Sequence, residues 1–213
     1  MDCRIVWDKY SNCWDSTPGQ PSHGGQGLLG QWYDACSGWY TTIDRIQVFS
    51  FALPFLKAPM SNFFVLKGQG SSFSSRNMAG KKIGFVDGWA SDEKCLNRWT
   101  DVVGQDTMQV VHGPTPTDLV AKLQNGEIAA IFATISDMEP HTGATNPVVE
   151  RVPSASFSCM IAGSAMMTRK DSDFNSKWNV GFNKLVSSGK FKKLCAAGQQ
   201  THGSRGNVDC VDG

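Results

Sequence analysis

The sequence predicts an α/β fold built on a small parallel sheet with helices on both faces. Between residues 83 and 133, apolar segments of strand length alternate with segments whose apolar residues recur at helical spacing. Glycine, proline and polar turn residues separate these segments. The order strand, helix, strand, helix, strand implies two right-handed crossovers, which give parallel strands buried on both faces.

The first strand of this region is predicted at Ile83–Val86. Ser91 or Asp92 is expected to cap the next helix, because both side chains can accept a hydrogen bond from a free backbone N–H. The apolar residues keep helical spacing until Gly104, which ends the helix. Met108–Val111 is predicted as the second strand.

A second helix is predicted to begin after Thr115. Thr115 is a favourable N-cap, Pro116 occupies the first helical position and Asp118 the third. Asn125-Gly126 ends the helix, and Ile128–Ala133 is expected to form the third strand.

The chain before this region has a weaker pattern. Residues 1–27 are rich in Gly, Pro, Ser and Trp and predict loops, with one short strand at Arg4–Trp7. Phe63–Leu66 is an apolar run of strand length. The Gly/Ser-rich segment Gly68–Asn77 has little to bury, so it is the expected crossing between two domains.

The C-terminal part predicts a loop, a strand and two helices. His141–Pro153 is expected to be a loop and Ala162–Thr168 a strand. Asp171 is expected to cap a helix that Gly189 ends, and a short basic helix is expected over Lys190–Cys195.

Composition excludes several functional classes. With 213 residues and 40% hydrophobic content, the chain is long enough to bury a substantial core. The net charge is +1 and charged residues make up 18%, which argues against bulk electrostatic binding to nucleic acid or anionic membrane. No apolar stretch approaches the roughly 18 residues of a spanning helix. The N-terminus lacks an apolar signal-peptide core, so either no secretion signal exists or numbering starts on the mature chain.

The seven cysteines favour an oxidising compartment: periplasm, extracellular space or an organelle lumen. There is no C-x-x-C pair and the four histidines do not have zinc-site spacing, so we expect no metal and no other cofactor. Cys36 and Cys159 lie in apolar runs and are expected to be buried thiols. Two short-loop disulfides are expected, Cys3–Cys13 and Cys195–Cys210.

One run of motifs resembles a known family. The positions that carry the first part of the resemblance are Asp34, Ala35, Gly38, Thr42, Arg45, Phe49, Ser50 and the displaced pair Pro54-Phe55. They are similar to the Asp-Ala-x-x-x-Gly, Thr-x-x-Arg and Phe-Ser-x-Pro-Phe/Tyr motifs of the bacterial type II extracellular solute-binding proteins. The same module forms the ligand-binding part of ionotropic glutamate receptors. The later segments that fit the family are Met78–Val86, Leu119–Ala133, Ala165–Asp171 and Asn183–Lys190.

The resemblance implies a two-lobed, periplasmic-binding-protein-like type II fold, each lobe a small, mostly parallel sheet flanked by helices. Residues 1–67 and 161–213 are then expected in lobe 1, and residues 68–160 in lobe 2. Only about 25 residues precede Gly27, roughly half of what the family spends there. The chain is therefore expected to be a fragment or to have a trimmed first lobe, whose uncovered apolar surface would attract a protein partner.

The carboxyl ends of the parallel strands are the expected ligand site. The helix start at 87–91 has free N–H groups that suit an anion. The resemblance adds Arg45, whose guanidinium would pair with a ligand carboxylate; pairing with Asp44 or another surface carboxylate is the alternative. The residues expected at the ligand are Gly38, Tyr40, Thr42 and Arg45 in lobe 1, and Trp89, Ser91 and Thr134 in lobe 2.

Two departures from the family pattern affect the ligand. The second-lobe turn reads Gly88-Trp89-Ala90, without the usual hydroxyl side chains, and only Ser91 keeps one. Thr134 stands where amino-acid binders place an aspartate that pairs with the α-ammonium, and Asp137 follows three residues later.

Two functions follow from these observations. The first is a non-enzymatic protein that binds a small anionic or zwitterionic solute, of amino-acid or organic-acid type, by hinge motion between Gly68 and Ala165. The second is a solute-binding fold that has lost its ligand and serves as an accessory subunit, with a protein partner on the trimmed lobe. Enzymatic activity is not expected, because no Ser/His/Asp or Cys/His grouping is evident.

Overall fold

The computed structural model describes residues 3–17, 20–142, 148–153, 155–203 and 208–212. The strands are β1 Trp14–Asp15, β2 His23–Gly24, β3 Cys36–Thr41, β4 Phe49–Phe51, β5 Ser61–Leu66, β6 Lys82–Val86, β7 Gln109–Gly113, β8 Ala130–Thr134, β9 Val149–Arg151 and β10 Ala162–Arg169. The helices are α1 Gln26–Leu29, α2 Ile43–Val48, α3 Ala90–Arg98, α4 Pro116–Gln124, α5 Ile135–Met138, α6 Phe174–Ser187 and α7 Lys190–His202. Short 3₁₀ turns cover Tyr10–Asn12 and Glu139–His141.

Lobe 2 is built on a five-stranded sheet in the order β7-β6-β8-β5-β9. β6 pairs in parallel with β7 and β8, as the alternating pattern predicts, whereas β5 runs antiparallel to β8 and β9. One face carries an aromatic cluster in which the ring centroids of Phe63, Phe132 and Phe157 lie 4.9–5.5 Å apart. The other face packs against α4 through Leu119 and Leu123. Both faces are therefore buried.

The ends of α4 agree better with the sequence-based prediction than the ends of α3 do. α4 starts as predicted: the Thr115 hydroxyl accepts a hydrogen bond from the Asp118 N–H at 3.2 Å. α3 begins at Ala90, before the expected caps, and ends at Arg98 rather than at Gly104. Asp92 cannot cap it, because its buried carboxylate accepts hydrogen bonds from Ser61 and Thr134.

Lobe 1 is built on a three-stranded sheet in the order β3-β10-β4, and β10 runs antiparallel to both neighbours. The two-lobed α/β fold is confirmed, but the expected parallel pairing is wrong for lobe 1. The short α2 connects β3 to β4, and the strand that returns from lobe 2 enters between them in the opposite direction. A small core fills one face of this sheet: Trp14, Leu28, Cys36, Phe49 and Met167.

The first crossing between the lobes lies earlier than the predicted boundary at 67/68. Ser61–Leu66 belongs to the lobe 2 sheet, so the chain crosses between Phe51 and Ser61. An apolar strand buried on both faces needs the larger sheet, which explains the difference. Gly68–Asn77 instead connects β5 to β6 within lobe 2, so it is not a hinge. The chain returns between Phe157, which bridges to Ser61, and the start of β10.

Four further expectations about elements need correction. Arg4–Trp7 is exposed and has no strand. The predicted loop at 141–153 contains β9, which completes the edge of the lobe 2 sheet, while residues 143–147 lie outside the described residues. Asp171 pairs with Arg169 at 3.3 Å instead of capping α6, which follows Asp173. α7 extends beyond the expected end at Cys195 to His202, and near its start Phe191 packs on Phe182 of α6 with ring centroids 4.9 Å apart.

Three disulfides cross-link the chain. Cys195–Cys210 is present as expected, whereas Cys13 pairs with Cys36 and Cys3 is an exposed free thiol. Cys36 and Cys159 are therefore not thiols; Cys159 pairs with Cys95 of α3. The fold brings these cysteines together from distant segments, which spacing along the chain does not reveal. Such disulfides persist in an oxidising compartment, where this protein belongs.

No helix in the described part of the chain has both the length and the apolar character needed to cross a membrane.

Candidate ligand-binding site

A narrow cleft separates the two lobes beside the first turns of α2 and α3. Its volume is about 10 Å³, room for about one water molecule. Three segments form its walls: the N-terminal hairpin (the β1–β2 unit with Ser16 and Ser22), α2 of lobe 1 and α3 of lobe 2. The lining residues are Trp14, Ser16, Ser22, Thr42, Asp44, Arg45, Ala90, Ser91 and Lys94.

Arg45 is the central polar residue on the lobe 1 side. It lies in the first turn of α2, and only 8% of its surface is exposed. Its Nη1 donates a hydrogen bond to the Tyr40 carbonyl at 2.8 Å. Its Cζ lies 4.7 Å from the ring centroid of Trp39 and 5.8 Å from that of Trp14. The guanidinium is thus held in place by one carbonyl and two aromatic rings.

No carboxylate in the described part of the chain forms an ion pair with Arg45. Its Nε is buried without a hydrogen-bond partner there. Burial lowers the pKa of Arg45 to about 10, although the charges of Asp44 and Asp92 act in the opposite direction. Arg45 is therefore a buried cation whose charge is only partly compensated, which is costly.

Asp44 connects the lobes instead of pairing with Arg45. Its carboxylate lies 3.2 Å from Lys94 Nζ and accepts a hydrogen bond from Arg98 Nη2 at 3.0 Å, both on α3. Burial alone would raise the pKa of Asp44, but the hydrogen bonds from Arg98 and Lys94 outweigh it and lower the pKa below its usual value. The alternative pairing of Arg45 with Asp44 is thus not observed.

Asp92 forms a buried polar centre behind the cleft. Its Oδ1 accepts hydrogen bonds from the Ser61 and Thr134 hydroxyls, both at 3.0 Å, and its Oδ2 accepts one from the Thr134 N–H at 3.3 Å. Burial raises the pKa of Asp92 to about 7, despite these hydrogen bonds. The sequence pattern gave Asp92 only a capping role, so this centre is an unexpected feature.

A second acidic side chain of lobe 2, Asp137 on α5, lies near β3 of lobe 1. Burial raises the pKa of Asp137 on α5. Burial and then the charge of Asp137 raise the pKa of Tyr40, which lies on β3 of lobe 1. Asp137 therefore faces the same strand whose carbonyl holds Arg45.

The N-terminal hairpin closes the cleft by touching both lobes. The Ser16 hydroxyl donates a hydrogen bond to the Gly88 carbonyl of lobe 2 at 2.5 Å. Gly88 has φ +83°, a backbone conformation that favours glycine, and the Tyr10 hydroxyl lies 2.9 Å from where a Cβ would stand. The Cys13–Cys36 disulfide ties the hairpin to β3 of lobe 1.

The expected ligand residues divide into two groups. Thr42, Arg45 and Ser91 line the cleft, and Tyr40 contributes its carbonyl to Arg45. The others face elsewhere: Trp89 packs on the core beside α4, Thr134 is buried against Asp92, and Gly38 is a positive-φ residue of β3.

Sequence reasoning missed the cleft residues Trp14, Ser16, Ser22, Asp44 and Lys94. Asp44 directly precedes Arg45 in the motif, and this neighbouring position was the one sequence feature that could have indicated a place at the cleft. The hairpin residues have no periodic pattern to mark them.

Solved structures match this fold, although no protein-family model and no curated protein sequence matches the chain. The substrate-binding protein AbpA of an amino acid ABC transporter from Streptococcus pneumoniae, bound to L-arginine, is 18% identical with a TM-score of 0.60, covering 85% of this chain and 73% of that one. The arginine-specific periplasmic binding protein STM4351 from Salmonella typhimurium is 19% identical with a TM-score of 0.60, covering 83% and 75%.

A domain of a larger protein is similar as well. The periplasmic VFT2 domain of BvgS from Bordetella pertussis is 15% identical with a TM-score of 0.55, covering 72% of this chain and 63% of that one. The resemblance of the sequence to the type II solute-binding proteins agrees with these structural similarities. It also agrees with the two lobes, their two crossings and the cleft between them. The chain has the two-lobed fold of the type II periplasmic binding proteins.

Proposed function

We propose that this chain is a non-enzymatic binding protein that holds a small carboxylate-bearing solute, of amino-acid or organic-acid type, between its lobes. The observation that carries the proposal is Arg45, a buried cation at the cleft without an ion-paired carboxylate in the described part of the chain. A ligand carboxylate would supply the missing counter-charge. The planar guanidinium suits it, because it can donate two parallel hydrogen bonds.

The surroundings of Arg45 favour a ligand with a carboxylate at one end and an amine at the other. Thr42 and Ser91 offer hydroxyl groups from opposite walls of the cleft. Asp137 of α5 lies close enough to the Tyr40 side chain to interact with it electrostatically, and the Tyr40 carbonyl on β3 accepts the hydrogen bond from Arg45. This acidic side would attract an ammonium group, so a zwitterionic amino acid is the preferred class. The amino-acid ligands named for the similar structures support the same class.

Binding requires the cleft to open, because about 10 Å³ cannot hold an amino acid. The two crossings, between Phe51 and Ser61 and between Phe157 and Ala162, are the segments about which the lobes would rotate. The N-terminal hairpin has to separate from Gly88 in the same movement, since Ser16 bonds to that turn.

The test is a thermal-shift and calorimetric titration against amino acids, organic acids and small amines. A bound ligand at 100 times its Kd should stabilise the wild-type chain by about 2.7 kcal/mol. Arg45→Met should abolish the ligand-induced shift, and Arg45→Lys should weaken it, each compared with its own ligand-free midpoint. Arg76→Met is the matched control, because Arg76 is exposed and outside the cleft. A shift that survives in Arg45→Met would contradict the proposal.

The second candidate function is an accessory subunit that has lost its ligand. The observation that favours it is the closed cleft, where Trp14 covers Arg45 and Asp44 bridges to Lys94 and Arg98. The use of a similar fold as one domain of BvgS is compatible with this role. A flat response to every solute, in the wild type and in Arg45→Met alike, would favour this function over solute binding.

A further inference from the structure

A second concave site lies at the far end of lobe 2. Its volume is about 440 Å³, within the roughly 300–1,000 Å³ of small-molecule pockets. The lining residues are Leu66, Gln69, Ser72, Phe73, Ser74, Lys81, Leu123, Gly126, Ile128 and Ala129. These residues stand at the end of β5 and just before β6 and β8, whereas the cleft is lined by α3, which follows the opposite end of β6. The two sites are thus separated by the length of the strands.

The chain path explains why this end of the lobe is concave. After β5 the segment Gly68–Asn77 turns away at Gly68, which has φ +88°, and the Gly70 N–H bonds to the Glu150 carboxylate at 2.6 Å. Phe73 then packs back against Phe63, with ring centroids 5.2 Å apart. This path leaves an open space between the segment and the turn that joins α4 to β8.

The floor of the pocket is apolar. Leu123 and Ile128 are buried members of the core between the sheet and α4, and Leu66 packs on that core. The Phe73 ring forms one wall. An apolar body of a few carbon atoms is what such a floor accepts, because it removes the remaining apolar surface from water.

The charged side chain that lines the pocket is that of Lys81, and the Glu150 carboxylate lies beside the same segment at Gly70. Lys81 Nζ donates to the Asn77 carbonyl and lies 5.9 Å from the Phe73 ring centroid. No carboxylate in the described ranges forms an ion pair with Lys81. The acidic residue of the neighbouring turn, Glu127, pairs with Lys122 at 3.5 Å. Gln69, Ser72 and Ser74 add polar groups at the rim.

We propose that this distal pocket binds a small amphipathic carboxylate, with the acid group on Lys81 and the apolar body on Leu66, Leu123 and Ile128. The acid group is inferred from the positive charge of Lys81, and the apolar body of the ligand is inferred from the apolar floor. The site does not involve Arg45 or the cleft, so it stands independently of the proposed function.

The experiment is an NMR titration of the ¹⁵N-labelled full chain with phenylacetate and octanoate, using 2-phenylethanol as the neutral analogue of phenylacetate. Saturable shifts are expected for amides at 66–74 and 123–129. Phenylacetate should bind about tenfold more tightly than the alcohol, the effect of one charge-assisted hydrogen bond. Lys81→Met should remove this preference. Lys82→Met is the matched control, because Lys82 is the exposed neighbour that does not line the pocket.

Two further variants test whether the shifts arise from binding in the distal pocket. Ser72→Trp fills the pocket from its exposed rim and should block both probes without a change in the core. Arg45→Met removes the cleft cation and should leave the distal shifts unchanged. The proposal is overturned if the shifts do not saturate, if the acid and the alcohol bind equally, or if Arg45→Met abolishes the shifts while Lys81→Met does not.

Discussion

Lobe 2 packs a five-stranded sheet between two apolar layers, whereas lobe 1 has a three-stranded antiparallel sheet and one smaller apolar cluster. The cross-links are distributed in the opposite sense. Cys13–Cys36 and Cys195–Cys210 join lobe 1 segments, and Cys95–Cys159 joins lobe 2 segments. Apolar burial is the main source of stability in lobe 2, while lobe 1 depends more on covalent links that restrict its unfolded chain.

The largest effect is expected from removing the cross-link of the N-terminal hairpin. The double substitution Cys13→Ala/Cys36→Ala should lower the free energy of unfolding by about 3 kcal/mol, since the disulfide closes a loop with a sequence separation of 23. Guanidinium denaturation measures the loss. Hydrogen exchange should show faster exchange at β1 and β2, with β6 and β8 unchanged. Cys3→Ser, at the free exposed thiol, is the control and should change nothing. Equally faster hydrogen exchange in both lobes would contradict the view that lobe 1 depends more than lobe 2 on its disulfides.

An intermediate effect is expected from the buried carboxylate of lobe 2. Burial raises the pKa of Asp92 from 3.8 to about 7, so the folded state binds this proton more tightly than the unfolded state. The resulting stability is fully present below about pH 4 and is lost as the pH rises through about 7. Between about pH 5 and pH 8 the loss should be about 2–3 kcal/mol.

Denaturation of the wild type and of Asp92→Asn across this pH range measures the effect, because asparagine carries no such proton. The difference between the two proteins should shrink or reverse in favour of Asp92→Asn as the pH rises. Asp106→Asn, at an exposed carboxylate, should keep the pH profile of the wild type. An unchanged profile in Asp92→Asn would show that other titratable groups cause the pH dependence.

The smallest effect is expected where the lobes meet. Asp44→Asn removes the ion pairs to Lys94 and Arg98, whose side chains are 37% and 50% exposed. The loss of stability should be only about 0.5–1 kcal/mol. The population of open molecules should nevertheless rise, visible as a larger radius of gyration in X-ray scattering. Asp173→Asn breaks an ion pair with Lys177 within α6 and its cap, and it should leave the radius unchanged.

The sequence predicted lobe 2 better than lobe 1 for a physical reason. The helix from Pro116 to Gln124 follows from the local signals Thr115, Pro116 and Asn125, and the apolar strands around it need no distant partner to be recognised. The order of strands in lobe 1 depends on β10, which arrives from more than a hundred residues later and separates β3 from β4. Such long-range pairings leave little trace in local periodicity.

The site was predictable to the extent that it belongs to a motif. Arg45 was expected from the Thr-x-x-Arg pattern, and it lies at the cleft. Trp14 and Ser16 lie in a segment without periodicity, so their contacts with Arg45 and Gly88 could not be foreseen. The disulfide between Cys13 and Cys36 was not predicted either. The short spacing along the chain favoured Cys3 as the partner of Cys13.

The N-terminal hairpin lowers the apparent affinity of the cleft for any solute. Because Trp14 and Ser16 are tethered to the same chain by Cys13–Cys36, their effective concentration at Arg45 and Gly88 is on the order of millimolar or higher. A free solute competes with this tethered occupant, so its apparent affinity is reduced by the fraction of molecules in which the hairpin has moved aside. A weak Kd in solution would then reflect the small fraction of molecules with the hairpin moved aside as much as the contacts between the solute and the cleft.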